Sequence, residues 1–269
     1  MTAVMPKSAE WQALREHADG RSRSRALAVA AARLTRGPIV VHDLGSGRGS
    51  MLRWLAPFLG GRQTWVLHDA DPALLAGSPE DPAGLSSPPV VIRASEADAS
   101  PLSDDALEGA SLITASGLLD LITREEAQAI VRACVTSGAP ALLTLTVTGR
   151  IRLEPVDPGD RVFESTFNDH QRRMAGDRRL LGPDAVGTVV DLFRDAGWSV
   201  RVADSAWQLD ATDQRLIQEW LEGRVAGAVE ERPALQEWAD EYSRTRARQL
   251  ADGTLRIVVD HQDILAWSP

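Results

Sequence analysis

A glycine-rich stretch at residues 41–50 is the part of the sequence best suited to hold a ligand. It reads VHDLGSGRGS, an apolar run that leads into glycines at positions 45, 47 and 49. Glycine permits a tight turn and lets a ligand approach the backbone, because it has no side chain. A strand that enters such a turn before a helix is typical of nucleotide-binding proteins. The stretch therefore predicts a binding site, although the glycines alone would also fit a plain turn between a strand and a helix.

Carboxylates stand at three places around these glycines. Asp43 lies two residues before Gly45, and Asp69 lies 24 residues after it, at the end of a second apolar run. Asp98 follows a third apolar run. An acid after the second strand can accept hydrogen bonds from both hydroxyls of a ribose, and an acid after the third can accept one from an adenine amino group. The spacing predicts a site for a ligand that contains adenosine.

The acids also have simpler interpretations. Asp69 would serve only as the N-cap of the next helix, a role for which Asp71 is better placed because Pro72 follows it at the first helical position. Asp98 would be a surface acid in a loop. The adenosine hypothesis therefore requires a fold that brings these acids to the glycine turn.

A sheet of parallel strands would bring these residues together. From residue 39 to residue 147 short apolar runs alternate with helical patterns, which predicts an α/β fold with helices on both faces of a parallel sheet. Residues 8–34 are expected to be helical, with a break at Asp19–Gly20. Residues 149–182 are irregular and polar, and two amphipathic helices are predicted at residues 213–228 and 233–250.

The composition excludes several classes of protein. Of the 269 residues, 43% are hydrophobic and 25% charged, which is typical of a folded globular protein and excludes general disorder. The net charge of −9 argues against binding to nucleic acid. The single cysteine, Cys134, excludes an internal disulfide and a cysteine metal cluster, and we predict no metal site. No signal peptide or transmembrane segment is visible, so we expect a cytoplasmic protein that does not bind a membrane.

Together, the glycine turn, Asp43, Asp69 and Asp98 resemble the class I S-adenosylmethionine-dependent methyltransferases. The resemblance runs from about Ile39 to Val147. It implies that S-adenosylmethionine is the cofactor, with its methionine part against the glycine turn, its ribose on Asp69 and its adenine amino group on Asp98. The residues that the resemblance assigns to the cofactor are Asp43, Gly45, Ser46, Gly47, Asp69, Ala70, Ala97, Asp98, Ala99, Thr114, Ala115 and Ser116.

The resemblance also predicts the remainder of the fold. It implies a Rossmann-like, doubly wound sheet of seven strands whose last strand is antiparallel, with N-terminal helices and a helical insertion between strands six and seven. We expect residues 1–37 to form an N-terminal helical cap and residues 38–269 to form the methyltransferase domain. Within that domain, residues 149–182 and 208–252 would be insertions that lie on the substrate side or form an interface.

Methyl transfer needs few dedicated side chains, because positioning supplies much of the rate and a base is needed only if the acceptor must lose a proton. His170 is the candidate base, since imidazole titrates near neutrality. A solvated loop histidine is its simpler interpretation. Arginines concentrate at residues 161–179 and would suit an anionic acceptor, although acids in the same segment would also balance them in a solvated loop. The candidate acceptor-binding residues are Trp11, Arg15, Arg172, Arg173 and Trp207.

The sequence favours a small-molecule acceptor methylated at oxygen or nitrogen. After the fourth strand it reads SGLL, where enzymes that methylate amino groups of nucleic acids carry an Asn/Asp-Pro-Pro-aromatic motif. The main alternative is a non-catalytic protein that binds S-adenosylmethionine or S-adenosylhomocysteine as the regulatory partner of another enzyme. A nicotinamide-dependent oxidoreductase is disfavoured, because Ser50 replaces the third glycine of that fingerprint. Both a monomer and a homodimer are compatible with the sequence.

Overall fold

A computed structural model of the chain describes residues 9–77, 90–95 and 106–269. The strands are β1 (Ile39–Leu44), β2 (Gln63–His68), β3 (Val90–Ser95), β4 (Leu112–Ser116), β5 (Ala141–Glu154), β6 (Met174–Ala175), β7 (Arg178–Arg179), β8 (Ser199–Asp204), β9 (Trp207–Leu209) and β10 (Arg256–Trp267). The main sheet follows the order β3-β2-β1-β4-β5-β10-β8, and the short β9 pairs with β10. The β6–β7 hairpin is separate from this sheet.

The strand directions match the predicted fold class. β1 to β5 are parallel to one another, and β10 is antiparallel to both β5 and β8. The carboxyl ends of β1 to β5 and of β8 therefore lie at the same edge of the sheet. The prediction of a Rossmann-like sheet of seven strands with the last strand antiparallel is confirmed.

The helices are α1 (Ala9–Ser22), α2 (Arg25–Leu34), α3 (Ser50–Leu59), α4 (Pro72–Ala76), α5 (Arg124–Ser137), α6 (Asp160–Gln171), α7 (Ala185–Asp195), α8 (Gln214–Glu231) and α9 (Gln236–Ala251). The apolar faces of α2 and α3 pack on one side of the sheet, against Trp65 and Leu67. Those of α5 and α7 pack on the other side, against Ile113 and Leu143. None of the helices in the described ranges has the length and apolar character needed to cross a membrane.

A third apolar cluster lies beyond the carboxyl ends of the parallel strands. It joins Trp11 of α1, Phe163 of α6, Trp207 of β9, Trp220 of α8 and Tyr242 of α9. We call these five elements the cap. Since α8 and α9 fall between β9 and β10, the predicted helical insertion before the last strand is present.

Two local expectations are wrong. The break between the first two helices lies at Arg23–Ser24, because Ser24 is the N-cap of α2 while Asp19 and Gly20 continue α1. Asp19 does not mark a turn, since its carboxylate is buried and accepts hydrogen bonds from within the fold. Residues 149–182 are not irregular either, because they contain the end of β5, the whole of α6 and the β6–β7 hairpin.

Candidate functional site

A cavity opens where the carboxyl ends of β1, β2 and β4 meet the cap. One side, which we call the turn side, is lined by Asp43, Gly45, Ser46, Gly47, Asp69 and Ala70. The opposite side, the cap side, is lined by Trp11, Arg15, Phe167, His170, Arg173, Trp207, Trp220, Arg224 and His261.

The glycine turn between β1 and α3 has a backbone that other residues would not adopt easily. Gly45, Gly47 and Gly49 have φ values of 61°, 52° and 76°, in the left-handed region. Gly47 is constrained further, because an added Cβ would lie 2.3 Å from Oε1 of Gln12. The same Gln12 oxygen accepts a hydrogen bond from the Arg48 N–H at 3.0 Å. The turn is therefore tight and docked directly against α1.

Asp43 ends its strand as a buried acid that is only partly satisfied. Its Oδ1 accepts a hydrogen bond of 2.7 Å from the Thr114 hydroxyl on the neighbouring strand. Its Oδ2 and the Oγ of Ser46 are buried and have no hydrogen-bond partner within the described part of the chain. Burial raises the pKa of Asp43 to about 7, although the bond from Thr114 and the charge of Arg23 act in the opposite direction. Both unsatisfied groups are available to a polar ligand at the turn.

Asp69 follows β2 and closes on the glycine turn. Its Oδ2 accepts a hydrogen bond from the Gly47 N–H at 2.8 Å, and its Oδ1 accepts one from the Asp71 N–H at 3.0 Å. Asp71 is the N-cap of α4, since its Oδ1 accepts a bond from the Ala73 N–H at 2.9 Å. Each carboxylate oxygen has more than one acceptor position, so Asp69 can still accept hydrogen bonds from a ligand.

The remaining residues assigned to a cofactor fall in different places. Ser116 lines the cavity, whereas Thr114 is buried beneath Asp43 and Ala115 packs in the apolar core. Ala97, Asp98 and Ala99 lie outside the described residues.

Helix α1 brings a charged pair to the cap side. The Arg15 Nε donates to Oδ2 of the buried Asp19 at 2.9 Å, and the Trp207 Nε1 donates to Oδ1 of the same carboxylate at 3.0 Å. The Arg15 guanidinium also lies 5.4 Å from the centre of the Trp207 ring, within range of a cation–π contact. These contacts place the predicted residues Arg15 and Trp207 side by side, with Trp11 on the same cavity wall.

Arg23 is a buried residue that sequence reasoning missed. Its Nη2 donates to the hydroxyls of Ser116 at 2.9 Å and Ser50 at 3.1 Å, both of which line the cavity. Asp19 lies 3.9 Å away and is its ionic partner. Burial lowers the pKa of Arg23, while the charge of Asp19 raises it. Arg23 links α1, α3 and the end of β4 directly behind the turn side.

His170 lies in the last turn of α6, not in a loop, and its ring is buried within the cap side. Its Nδ1 is buried without a hydrogen-bond partner in the described part of the chain. Burial lowers the pKa of His170 and Arg173 lowers it further, while Glu230 acts in the opposite direction. The imidazole is therefore neutral near pH 7 and can accept a proton.

His261 reaches the same cavity from β10. Its Nδ1 lies 2.9 Å from the Val259 carbonyl oxygen and must carry the hydrogen to donate there. Burial lowers the pKa of His261 to about 3, and Arg15 and Arg224 contribute to this shift. It is a neutral side chain whose other ring nitrogen can accept a hydrogen bond.

The arginines predicted to bind an anionic acceptor separate into two groups. Arg172 forms two bonds with the Asp184 carboxylate, at 2.7 and 2.8 Å, and is not among the residues that line the cavity. Arg178 pairs in the same way with Glu126. Arg173 does line the cavity, as does Arg224 of α8, which the sequence did not single out.

Leu145 on the cavity wall has an unusual backbone. Its φ is 56°, although it is not glycine, and it lies where the register between β5 and β10 shifts. Its N–H donates to the buried Asp263 carboxylate at 2.8 Å, and Ser24 N–H and the Ser205 hydroxyl donate to the same carboxylate at 2.7 and 2.6 Å. Asp263 thus holds β5 in a conformation that costs on the order of 1 kcal/mol.

Comparison with solved structures shows that the chain shares its fold with a candidate methyltransferase. A candidate type II methyltransferase from Anaeromyxobacter dehalogenans is similar, with a TM-score of 0.52 and 14% identity over 91% of this chain and 96% of its own. The YcgJ protein from Bacillus subtilis also has a TM-score of 0.52, with 13% identity over 91% of this chain and 99% of its own. No family model matches the sequence, and no curated protein matches it. The chain therefore has a Rossmann-like methyltransferase fold at very low sequence identity.

Proposed function

We propose that this protein transfers the methyl group of S-adenosylmethionine to an oxygen or nitrogen of a small anionic molecule. The observation that carries this proposal is the divided cavity. An acid-rich glycine turn lies on one side, and aromatic, histidine and arginine side chains lie on the other. The fold shared with a candidate methyltransferase supports the same conclusion.

The turn side fits S-adenosylmethionine. Asp69 stands at the end of β2, where its carboxylate can accept hydrogen bonds from the ribose hydroxyls. Asp43 Oδ2 and Ser46 Oγ are buried polar atoms without partners in the described part of the chain, and they suit the polar methionine part. The small Gly45 and Gly47 leave the backbone open to close approach.

Methyl transfer is a displacement in which geometry matters most. When bound, S-adenosylmethionine supplies a methyl group on a positively charged sulfur, which leaves with the electron pair of the carbon–sulfur bond. The cap side holds the acceptor atom in line with that bond and excludes water. Such positioning can lower the activation barrier by about 7 kcal/mol or more. Trp11, Trp207 and Trp220 form the apolar walls that do this.

His170 is the proposed base. A hydroxyl acceptor must lose its proton as the oxygen–carbon bond forms, and an ammonium acceptor must lose one proton beforehand to free the electron pair that attacks the methyl group. Burial lowers the pKa of His170, so its imidazole is neutral near pH 7, and its Nδ1, which has no hydrogen-bond partner in the described part of the chain, is the atom that would take that proton. Arg173 and Arg224 give the same side the positive charge that an anionic acceptor needs.

Isothermal calorimetry with S-adenosylmethionine and S-adenosylhomocysteine tests the cofactor assignment. We expect both to bind the wild type and to bind Asp69→Asn roughly 10- to 100-fold more weakly, the usual loss for a charged hydrogen bond. Asp71→Asn is the matched control. Asparagine also caps helices, so this variant should keep nearly the wild-type affinity for both compounds. Failure of the wild type to bind either compound would overturn the proposal. Binding without methyl transfer to any acceptor would favour the non-catalytic alternative.

A further inference from the structure

Arg224 is held in an unusual position for a cation. Its guanidinium carbon lies 4.2 Å from the centre of the Phe167 ring and 4.6 Å from the centre of the Trp220 ring. Within the described part of the chain it forms no ion pair, and its Nε is buried without a hydrogen-bond partner. A guanidinium fixed between two aromatic faces keeps its orientation without using its donors.

The other cavity arginines are more fully engaged. Arg15 is paired with Asp19 at 2.9 Å. Arg173 donates from Nη1 to the His170 carbonyl oxygen at 2.9 Å. Burial lowers the pKa of Arg224 to about 9, against the charge of Asp120, so the group still carries its charge at neutral pH. Arg224 is therefore a desolvated cation on the cap side whose donors remain open to an anion.

The surroundings of Arg224 indicate the shape of that anion. Trp11, Phe167, Trp207 and Trp220 line the cap side. One face of Phe167 and one of Trp220 are against Arg224, and one face of Trp207 is against Arg15. The ring surface that remains toward the cavity suits a flat apolar body. A planar guanidinium fork matches a planar carboxylate with two parallel hydrogen bonds.

We propose that Arg224 binds the carboxylate of a flat aromatic acceptor, which the cap-side aromatic rings hold beside His170. This inference rests on the proposed function and names the class of its acceptor. It replaces Arg172 with Arg224 as the main anion-binding residue. Phe167 packs against both Arg224 and His170, so the proposed carboxylate-binding residue and the proposed base lie on either side of one ring.

Benzoate and its neutral analogue benzamide test the inference by calorimetry in saturating S-adenosylhomocysteine. We expect saturable binding of benzoate by the wild type and much weaker binding of benzamide. Arg224→Met keeps an apolar stem between the two rings, and we expect it to weaken benzoate binding roughly 10- to 100-fold while leaving benzamide unchanged. Arg224→Lys should fall between the two, because lysine keeps the charge and loses the fork. Arg172→Gln is the matched control and should bind benzoate like the wild type.

The outcomes separate this inference from the proposed function. Normal binding of S-adenosylhomocysteine by Arg224→Met, with benzoate binding lost, supports the inference. Normal binding of both compounds by that variant overturns it and leaves the proposed function intact. Equal affinity for benzamide and benzoate, tighter binding of phenyl phosphate, or no saturable benzoate binding by the wild type also overturns it. Thermal melting in S-adenosylhomocysteine checks that each variant is folded. If Arg224→Met does not fold, Arg224→Lys still tests whether benzoate binding needs the two parallel hydrogen bonds of the guanidinium.

Discussion

Replacing Asp43 with asparagine should stabilise the protein at alkaline pH and not at acidic pH. Burial raises the pKa of Asp43 from 3.8 to about 7. Between these two pKa values the unfolded chain loses a proton that the folded protein keeps. The contribution of protonated Asp43 to the free energy of unfolding is therefore fully present below the unfolded pKa and is lost as pH rises through the folded pKa. At about 1.4 kcal/mol for each pH unit, a shift of about three units corresponds to about 4 kcal/mol.

Asp43→Asn removes this loss because the amide has no proton to release. Its oxygen can still accept the bond that Thr114 makes to Oδ1. Urea unfolding, followed by tryptophan fluorescence at about pH 4 and about pH 8, gives the free energy of unfolding for each protein. The difference between variant and wild type should grow by about 4 kcal/mol between these pH values. Because other titrating groups are shared, they cancel in that difference.

Asp263→Asn is the control, since Asp263 is also buried and its pKa is also raised by burial. Its carboxylate accepts hydrogen bonds from Ser24, Leu145 and Ser205, so losing one acceptor leaves a buried donor unsatisfied at a cost of about 1–3 kcal/mol. Asp263→Asn should therefore destabilise the protein throughout. A stability difference for Asp43→Asn that stays constant with pH would show that Asp43 does not titrate with a raised pKa in the folded protein.

Two further predictions concern the turn and the sheet behind it. Gly47→Ala should cost more than the roughly 1 kcal/mol expected for Gly176→Ala. Both residues have positive φ, but only a Cβ at Gly47 would displace the Gln12 side chain and its hydrogen bond from the Arg48 N–H, worth about 1 kcal/mol; equal losses in a thermal melt would contradict this. The pKa of His68 is lowered to about 4 by burial and by His42, so stability should fall by about 3 kcal/mol as pH drops from 6.5 to about 4. His68→Gln should abolish that part of the pH dependence in urea unfolding, and an unchanged dependence would count against it.

The strands and the glycine turn could be predicted because their signals are local. Clusters of apolar, mostly β-branched or aromatic residues mark β1 and β2, and glycines mark the turn. Asp71 was placed correctly as a cap because Pro72 follows it. The break predicted at Asp19–Gly20 is wrong because a buried Asp looks like a turn residue in sequence, while the contacts that hold its carboxylate in the fold come from Arg15 and Trp207.

The cap side could be predicted only in part, because distant segments build it. Arg224 lies between Phe167 and Trp220, and nothing in its own neighbourhood of the sequence indicates a cavity. Arg172 and Arg173 are adjacent in sequence, yet one binds Asp184 and the other lines the cavity. Helix geometry points neighbouring side chains in different directions, so an arginine-rich segment does not reveal which guanidinium faces a ligand.

A crystal structure of the protein grown with S-adenosylhomocysteine would locate the cofactor site. We expect the ribose hydroxyls on the Asp69 carboxylate, the methionine part against residues 45–47, and the sulfur facing the side of the cavity that holds His170 and Arg224. S-adenosylhomocysteine bound outside this cavity, or bound in it with its ribose away from Asp69, would show that the cofactor assignment is wrong.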